Sequence, residues 1–99
     1  KILFSGDMGA SMVDDASKPL ENFAAHIPKM KSFHQRYMCS NKVIRLWVNM
    51  VRTMDIEMIV PQHGTPFMGK EQINQFLDWI ETLECGTDLM DESVFTCPT

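Results

Sequence analysis

Ninety-nine residues, 44% of them hydrophobic and 22% charged, with five Gly and five Pro, describe one folded unit and exclude a disordered or fibrous chain. No uninterrupted apolar run approaches the roughly 18 residues of a membrane-spanning helix, so no membrane partner is expected. The net charge of −4 is divided: Ile27 to Met54 holds Lys29, Lys31, Arg36, Lys42, Arg45 and Arg52 with no acid, whereas Lys70 to Thr99 holds seven acids against one Lys. Such halves can pair with each other, and the acidic balance argues against nucleic acid as a partner.

The chain opens on Lys1 rather than Met and runs directly into Ile2-Leu3-Phe4-Ser5-Gly6, a short strand of the kind buried on both faces and closed by a turn. This opening reads as a fragment. No signal peptide pattern is present, and Cys39, Cys85 and Cys97 form neither a disulfide framework nor a CxxC site, which points to a reducing, cytoplasmic setting. Cys39 and Cys85 read as small buried hydrophobes.

Asp7 follows the first strand, and Met8 to Pro19 reads as a loop. Leu20 to His26 supports a helical turn or two before Pro28, whose ring disfavours helix at Ile27. A longer helix follows. Val43, Ile44, Trp47, Met50, Val51 and Met54 mark its apolar stripe, with Lys42, Arg45, Asn49 and Arg52 opposite. Glu57 to Pro61 is a second short buried strand, closed by a proline that cannot donate to a ladder. Thr65 to Gly69 is a loop, Ile73 to Leu83 a second amphipathic helix, and Gly86 its expected cap.

The order strand, loop, helix, strand, loop, helix is that of an α/β fold. In such folds the carboxyl ends of the strands carry the site, and here each delivers one metal-ligating residue, Asp7 and His63. A carboxylate offers two oxygens that can bridge two cations, and an imidazole offers one neutral nitrogen. Two donors alone allow zinc as readily as iron.

Lys1-Ile-Leu-Phe-Ser-Gly-Asp-Met-Gly, with Ile59-Val-Pro-Gln-His63-Gly64 after it and Gln35-Arg-Tyr-Met between, resembles the later, C-terminal half of a metallo-β-lactamase-fold diiron domain of the flavodiiron family. The likeness covers about residues 1 to 84, and the absence of a flavodoxin-like continuation with its phosphate loop makes it most similar to stand-alone oxygen-binding diiron proteins. It implies an αββα sandwich of which residues 1–99 form the C-terminal part, the N-terminal half and its His-x-Glu-x-Asp ligands lying outside this chain. It implies two iron ions, no flavin in this chain, Asp7 as the bridging carboxylate and His63 as a terminal ligand.

The function so implied is oxygen binding, with sensing linked to chemotaxis as the leading expectation and no catalytic residue assigned. The alternatives are an oxygen or nitric oxide reductase fed by a flavin domain or rubredoxin, and a dizinc hydrolase. Expected partners are the N-terminal half, molecular oxygen, a second copy in a homodimer, and an electron donor or chemotaxis component. Tyr37 is a candidate to donate its hydroxyl near the metals, and Met8 and Met68 to line a dry pocket for a small apolar gas. His26, ahead of Pro28, and His34, in a basic helical stretch, are disfavoured as ligands.

Overall fold

The computed structural model describes residues 1–13 and 15–94. Strand β1 (Ile2–Gly6) is followed by helices α1 (Phe23–Tyr37) and α2 (Asn41–Arg52), strands β2 (Met58–Pro61) and β3 (Phe67–Met68), and helix α3 (Gly69–Ile80). Two short 3-10 turns, Gly86–Leu89 and Glu92–Val94, come last. None of the described helices is long and apolar enough to cross a membrane.

β1 and β2 pair in parallel, Ile2 with Met58, Leu3 with Ile59 and Phe4 with Val60, and the ladder becomes irregular before Gly6 meets Pro61. β3 adds antiparallel to the far side of β2, Met68 opposite Met58 and Phe67 opposite Ile59. Opposed residues share a face, so Leu3, Ile59 and Phe67 form one side of the sheet and Ile2, Phe4, Met58, Val60 and Met68 the other. The first side is covered: α3 packs on β2 and β3 and against α1 and α2, placing Ile59 and Phe67 in a core with Met30, Val48, Phe76, Leu77 and Ile80. Phe67 and Phe76 stack at its centre, centroids 4.5 Å apart. The second side, equally apolar, is open, and Phe4 is 76% exposed. Among the described residues β1 is therefore not buried on both faces, because every described helix lies on one side and β1 stands at the sheet edge.

Helix α1 corrects the expected break at Pro28. Asn22 caps it, its side chain accepting the Ala25 N–H at 3.3 Å, and the helix runs through the proline to Tyr37. The backbone partner that Pro28 cannot supply belongs to Ala24, an exposed position that water reaches. On the inner face Phe23, His26, Ile27, Met30, Phe33 and His34 recur at i, i+3, i+4, i+7, i+10 and i+11, all buried or half-buried. That stripe holds the helix together across Pro28.

Ser40 then starts α2 as a separate helix, its hydroxyl accepting the Val43 N–H. The buried positions of α2 are Ile44, Val48 and Val51, while Val43, Met50 and Met54 of the expected stripe are exposed. Asn41 links α2 to α3, donating its side-chain amide to the carbonyls of Glu81 and Leu83. The expected pairing of basic and acidic segments occurs between the same two helices, where Arg52 meets Asp78 at 2.7 Å and Glu81 at 3.3 Å.

The segment Thr65 to Gly69 is not all loop, since it contains β3. Gly86 opens a 3-10 turn against Cys39, whose carbonyl accepts the Thr87 N–H, rather than capping α3, which ends at Ile80. Cys85 is fully buried, but Cys39 is exposed, contrary to the expectation for both. Cys97 lies outside the described residues.

Candidate metal centre

Parallel pairing sets the carboxyl ends of β1 and β2 side by side, and the chain leaves both in tight turns. The Gln62 N–H donates to the Gly6 carbonyl at 2.7 Å, extending the ladder by one bond; Asp7 follows β1 directly, and His63 follows Gln62 beyond the end of β2. Both side chains are exposed, and the hydrogen bonds and ion pairs among the described residues leave both free.

The backbone beneath them is tightly held. Met8 N–H donates to the Ser5 carbonyl, Ser5 Oγ donates to the Met8 carbonyl at 2.6 Å, and Ala10 N–H returns to the Asp7 carbonyl. Gly9 has φ +92° and lies flat on the core, where an added Cβ would come within 2.9 Å of the Phe67 ring. Its N–H donates to Nε2 of His34 at 2.9 Å.

His34 is fully buried, and its Nδ1 lies 2.8 Å from the Met30 carbonyl. A carbonyl only accepts and a backbone N–H only donates, so the ring is neutral, protonated on Nδ1 with the Nε2 lone pair toward Gly9. Burial depresses its pKa, against the opposing influence of the Met30 carbonyl and of Asp7.

Ser11 joins the two turns. Its N–H donates to the His63 carbonyl at 3.2 Å, and its hydroxyl accepts the Thr65 N–H at 3.2 Å, so it brackets Gly64. Gly64 has φ +103°, and a Cβ there would collide with Ser11 Oγ at 2.2 Å. The two donor turns are thus clamped into one piece of structure through the segment Gly9 to Ser11.

The other residues singled out from the sequence are placed differently. Met8 is half-buried beside Asp7 and packs on the core. Met68 sits opposite Met58, at the start of β2, so the fold does not bring it to the donor end of the sheet. Tyr37 is exposed at the end of α1, its ring against Phe33 at 5.0 Å and under the Arg36 guanidinium. His26 is buried edge-on to Phe67, with no hydrogen-bond partner for Nε2 among the described residues; burial, then Lys29, depress its pKa.

Asp7 and His63 fit a metal as two donors of a larger set. Their chemistry, one hard anionic oxygen ligand and one borderline imidazole, suits a first-row transition ion, and both side chains are exposed. Among the described residues no third His, Cys, Asp or Glu joins them in one group, so the remaining donors must come from outside these residues.

The model of the ODP family of β-lactamase domains matches residues 1–64, the stretch that contains both donor turns. The chain belongs to the ODP family. Among solved structures it is similar to the chemotaxis sensor ODP in a peroxy diiron state, with 47% identity and a TM-score of 0.84, covering 95% of this chain and 39% of that one. It is similar also to the apo state of the chemotaxis sensor ODP from T. denticola, with 48% identity and a TM-score of 0.82 over the same shares. The chain thus spans about 39% of the length of these ODP structures. No curated protein matches. The fold is the mixed α/β arrangement of part of an ODP β-lactamase-like domain, as the resemblance in the sequence implied.

The sequence reading weighs His34 only as a disfavoured ligand and passes over Ser11. No local spacing marks either one as a neighbour of Asp7 or His63, since both reach the site only through contacts formed in the folded chain.

Proposed function

We propose that this chain forms part of a non-haem diiron domain that binds molecular oxygen as a chemotaxis sensor. The observation that carries the reading is the placement of Asp7 and His63 on adjacent turns at the carboxyl ends of two paired strands, stapled together by Ser11. Its support is membership of the ODP family and likeness to sensors that include a diiron form. When bound, the iron pair supplies the oxygen affinity.

The chain's own residues supply the rest. Asp7 would hold metal through carboxylate oxygens whose charge offsets part of the cations' mutual repulsion, and His63 would add one imidazole nitrogen. The bonds from Gly9, Ala10 and Ser11 hold the backbone of both turns in place before any metal arrives, which leaves only the two side chains to be ordered on binding. The open apolar face, Ile2, Phe4, Met58, Val60 and Met68, is the surface we assign to the remainder of the domain, which also brings the missing ligands.

The test is anaerobic loading of the full-length protein with ferrous iron, followed by iron analysis and oxygen uptake. Two irons per domain, with slow net oxygen consumption in the presence of a reductant, is the expected result. Rapid sustained consumption with a flavin or rubredoxin donor would promote the reductase. Uptake of zinc alone, with hydrolysis, would overturn iron altogether.

A further inference from the structure

We propose that His34 is a positioning residue for the metal site, its buried imidazole fixing the Asp7 turn through the Gly9 N–H. The inference rests on reading Asp7 and His63 as metal donors.

Four observations converge on it. His34 is a fully buried polar side chain, yet it is neither a surface group nor within the reach of solvent, so its presence in a core of Phe33, Phe76 and Trp79 needs a compensating role. Both ring nitrogens are used, Nδ1 by Met30 in its own helix and Nε2 by Gly9, 25 residues away in sequence. The Met30 bond selects the tautomer, and that tautomer leaves the only lone pair on the nitrogen facing Gly9. Finally, Gly9 lies two residues beyond Asp7 and two before Ser11, in the segment that through Ser11 ties the two donor turns together.

Removing the acceptor would strand a buried N–H at the point where the Asp7 turn rests on Phe67. The turn would then shift or fluctuate, and Asp7 with it. His26 is the internal comparison. It is a buried histidine on the same face of the same helix, but among the described residues no hydrogen bond ties its ring to either donor turn.

The experiment uses the full-length protein with His34→Leu, His34→Gln and His26→Leu. In the metal-free wild type, a 15N–15N coupling across the Gly9 to His34 hydrogen bond is expected in the NMR spectrum. Loss of the acceptor in His34→Leu should weaken ferrous-iron affinity by about tenfold or more, the usual scale for residues that orient a ligand. Gln carries an oxygen acceptor of similar reach, so His34→Gln should recover most of that affinity, and His26→Leu should stay close to wild type. If His34→Leu does not fold, His34→Asn, whose acceptor is too short to reach Gly9, takes its place against His34→Gln. Absence of the coupling overturns the proposal, as does undiminished iron binding in the acceptor-less variant or an equal loss in His26→Leu. Wild-type protein that shows the coupling but takes up no iron sinks the diiron reading, and with it any role of His34 toward a metal; the coupling tells the two failures apart.

Discussion

Asp7 and His63 owe their availability to how little else they do. Both are exposed, and among the described residues neither side chain closes a hydrogen bond on which its turn depends, so replacing either should change stability by no more than about 0.5 kcal/mol. Asp7→Ala in the full-length protein should lose both irons after a chelator challenge, whereas His63→Ala should release one more readily than the other; iron content against the urea midpoint separates loss of a ligand from loss of fold. Ser11 is the opposite case. Ser11→Ala leaves the buried Thr65 N–H without its acceptor, an expected cost of about 1–3 kcal/mol in urea denaturation, with the His63 turn loosened in the same variant. The two described cysteines also divide by environment. Burial, with Asp88 nearby, pushes the Cys85 thiol up to about 11, so under native conditions iodoacetamide should modify Cys39 well before Cys85, and equal rates would contradict the burial of Cys85. The placement of Asp7 and His63 at strand ends was legible, because strand and turn are local signals. His34 and Ser11 were not, because their partners Gly9 and Thr65 lie 25 and 54 residues away.

At the scale of elements, the strands β1 and β2 could be read from short apolar runs and helix α3 from its apolar period, because those signals are local. Helix α1 could not. Two of its six inner positions are histidines and a proline sits between them, so an apolar count finds no stripe until His26 and His34 are counted as core. β3 is two residues long and exists by pairing with β2, which no local pattern announces. The same histidines give α1 a measurable property. Burial lowers both pKa values below the ordinary 6.5, so the unfolded chain binds protons that the folded chain refuses. Stability contributed by their neutral forms is complete above 6.5 and is lost as pH falls from there toward the folded-state values, with a limiting slope of about 1.4 kcal/mol per pH unit for each proton. The urea midpoint of the full-length protein should therefore drop between pH 7.5 and pH 5.5. His26→Leu with His34→Gln should flatten that dependence, and an unchanged slope would show that the two imidazoles are not the groups titrating.

The whole molecule has a sheet apolar on both sides and helices on one. A face made of Ile2, Phe4, Met58, Val60 and Met68 is ordinary for a strand layer inside a sandwich and unfavourable on a surface facing water. Helix α2 also exposes apolar groups, Leu46 at 62% among them, so exposure alone does not identify a covered face. What distinguishes the sheet is its continuity across three strands and its nearness to the donor turns, which need further ligands delivered from beyond the described residues. If the remainder of the domain closes over that face, Phe4→Asp in the full-length protein removes a buried aromatic ring and buries a carboxylate, an expected loss of about 3 kcal/mol or more. Leu46→Asp, made on a helix face with no assigned partner, should stay within about 0.5 kcal/mol. Because β1 ends one residue before Asp7, the same Phe4→Asp variant should also lose iron, while Leu46→Asp keeps it. Urea midpoints and iron content measured on the pair decide the matter: equal effects of the two substitutions would mean that the open face of the sheet is not where the rest of the domain sits.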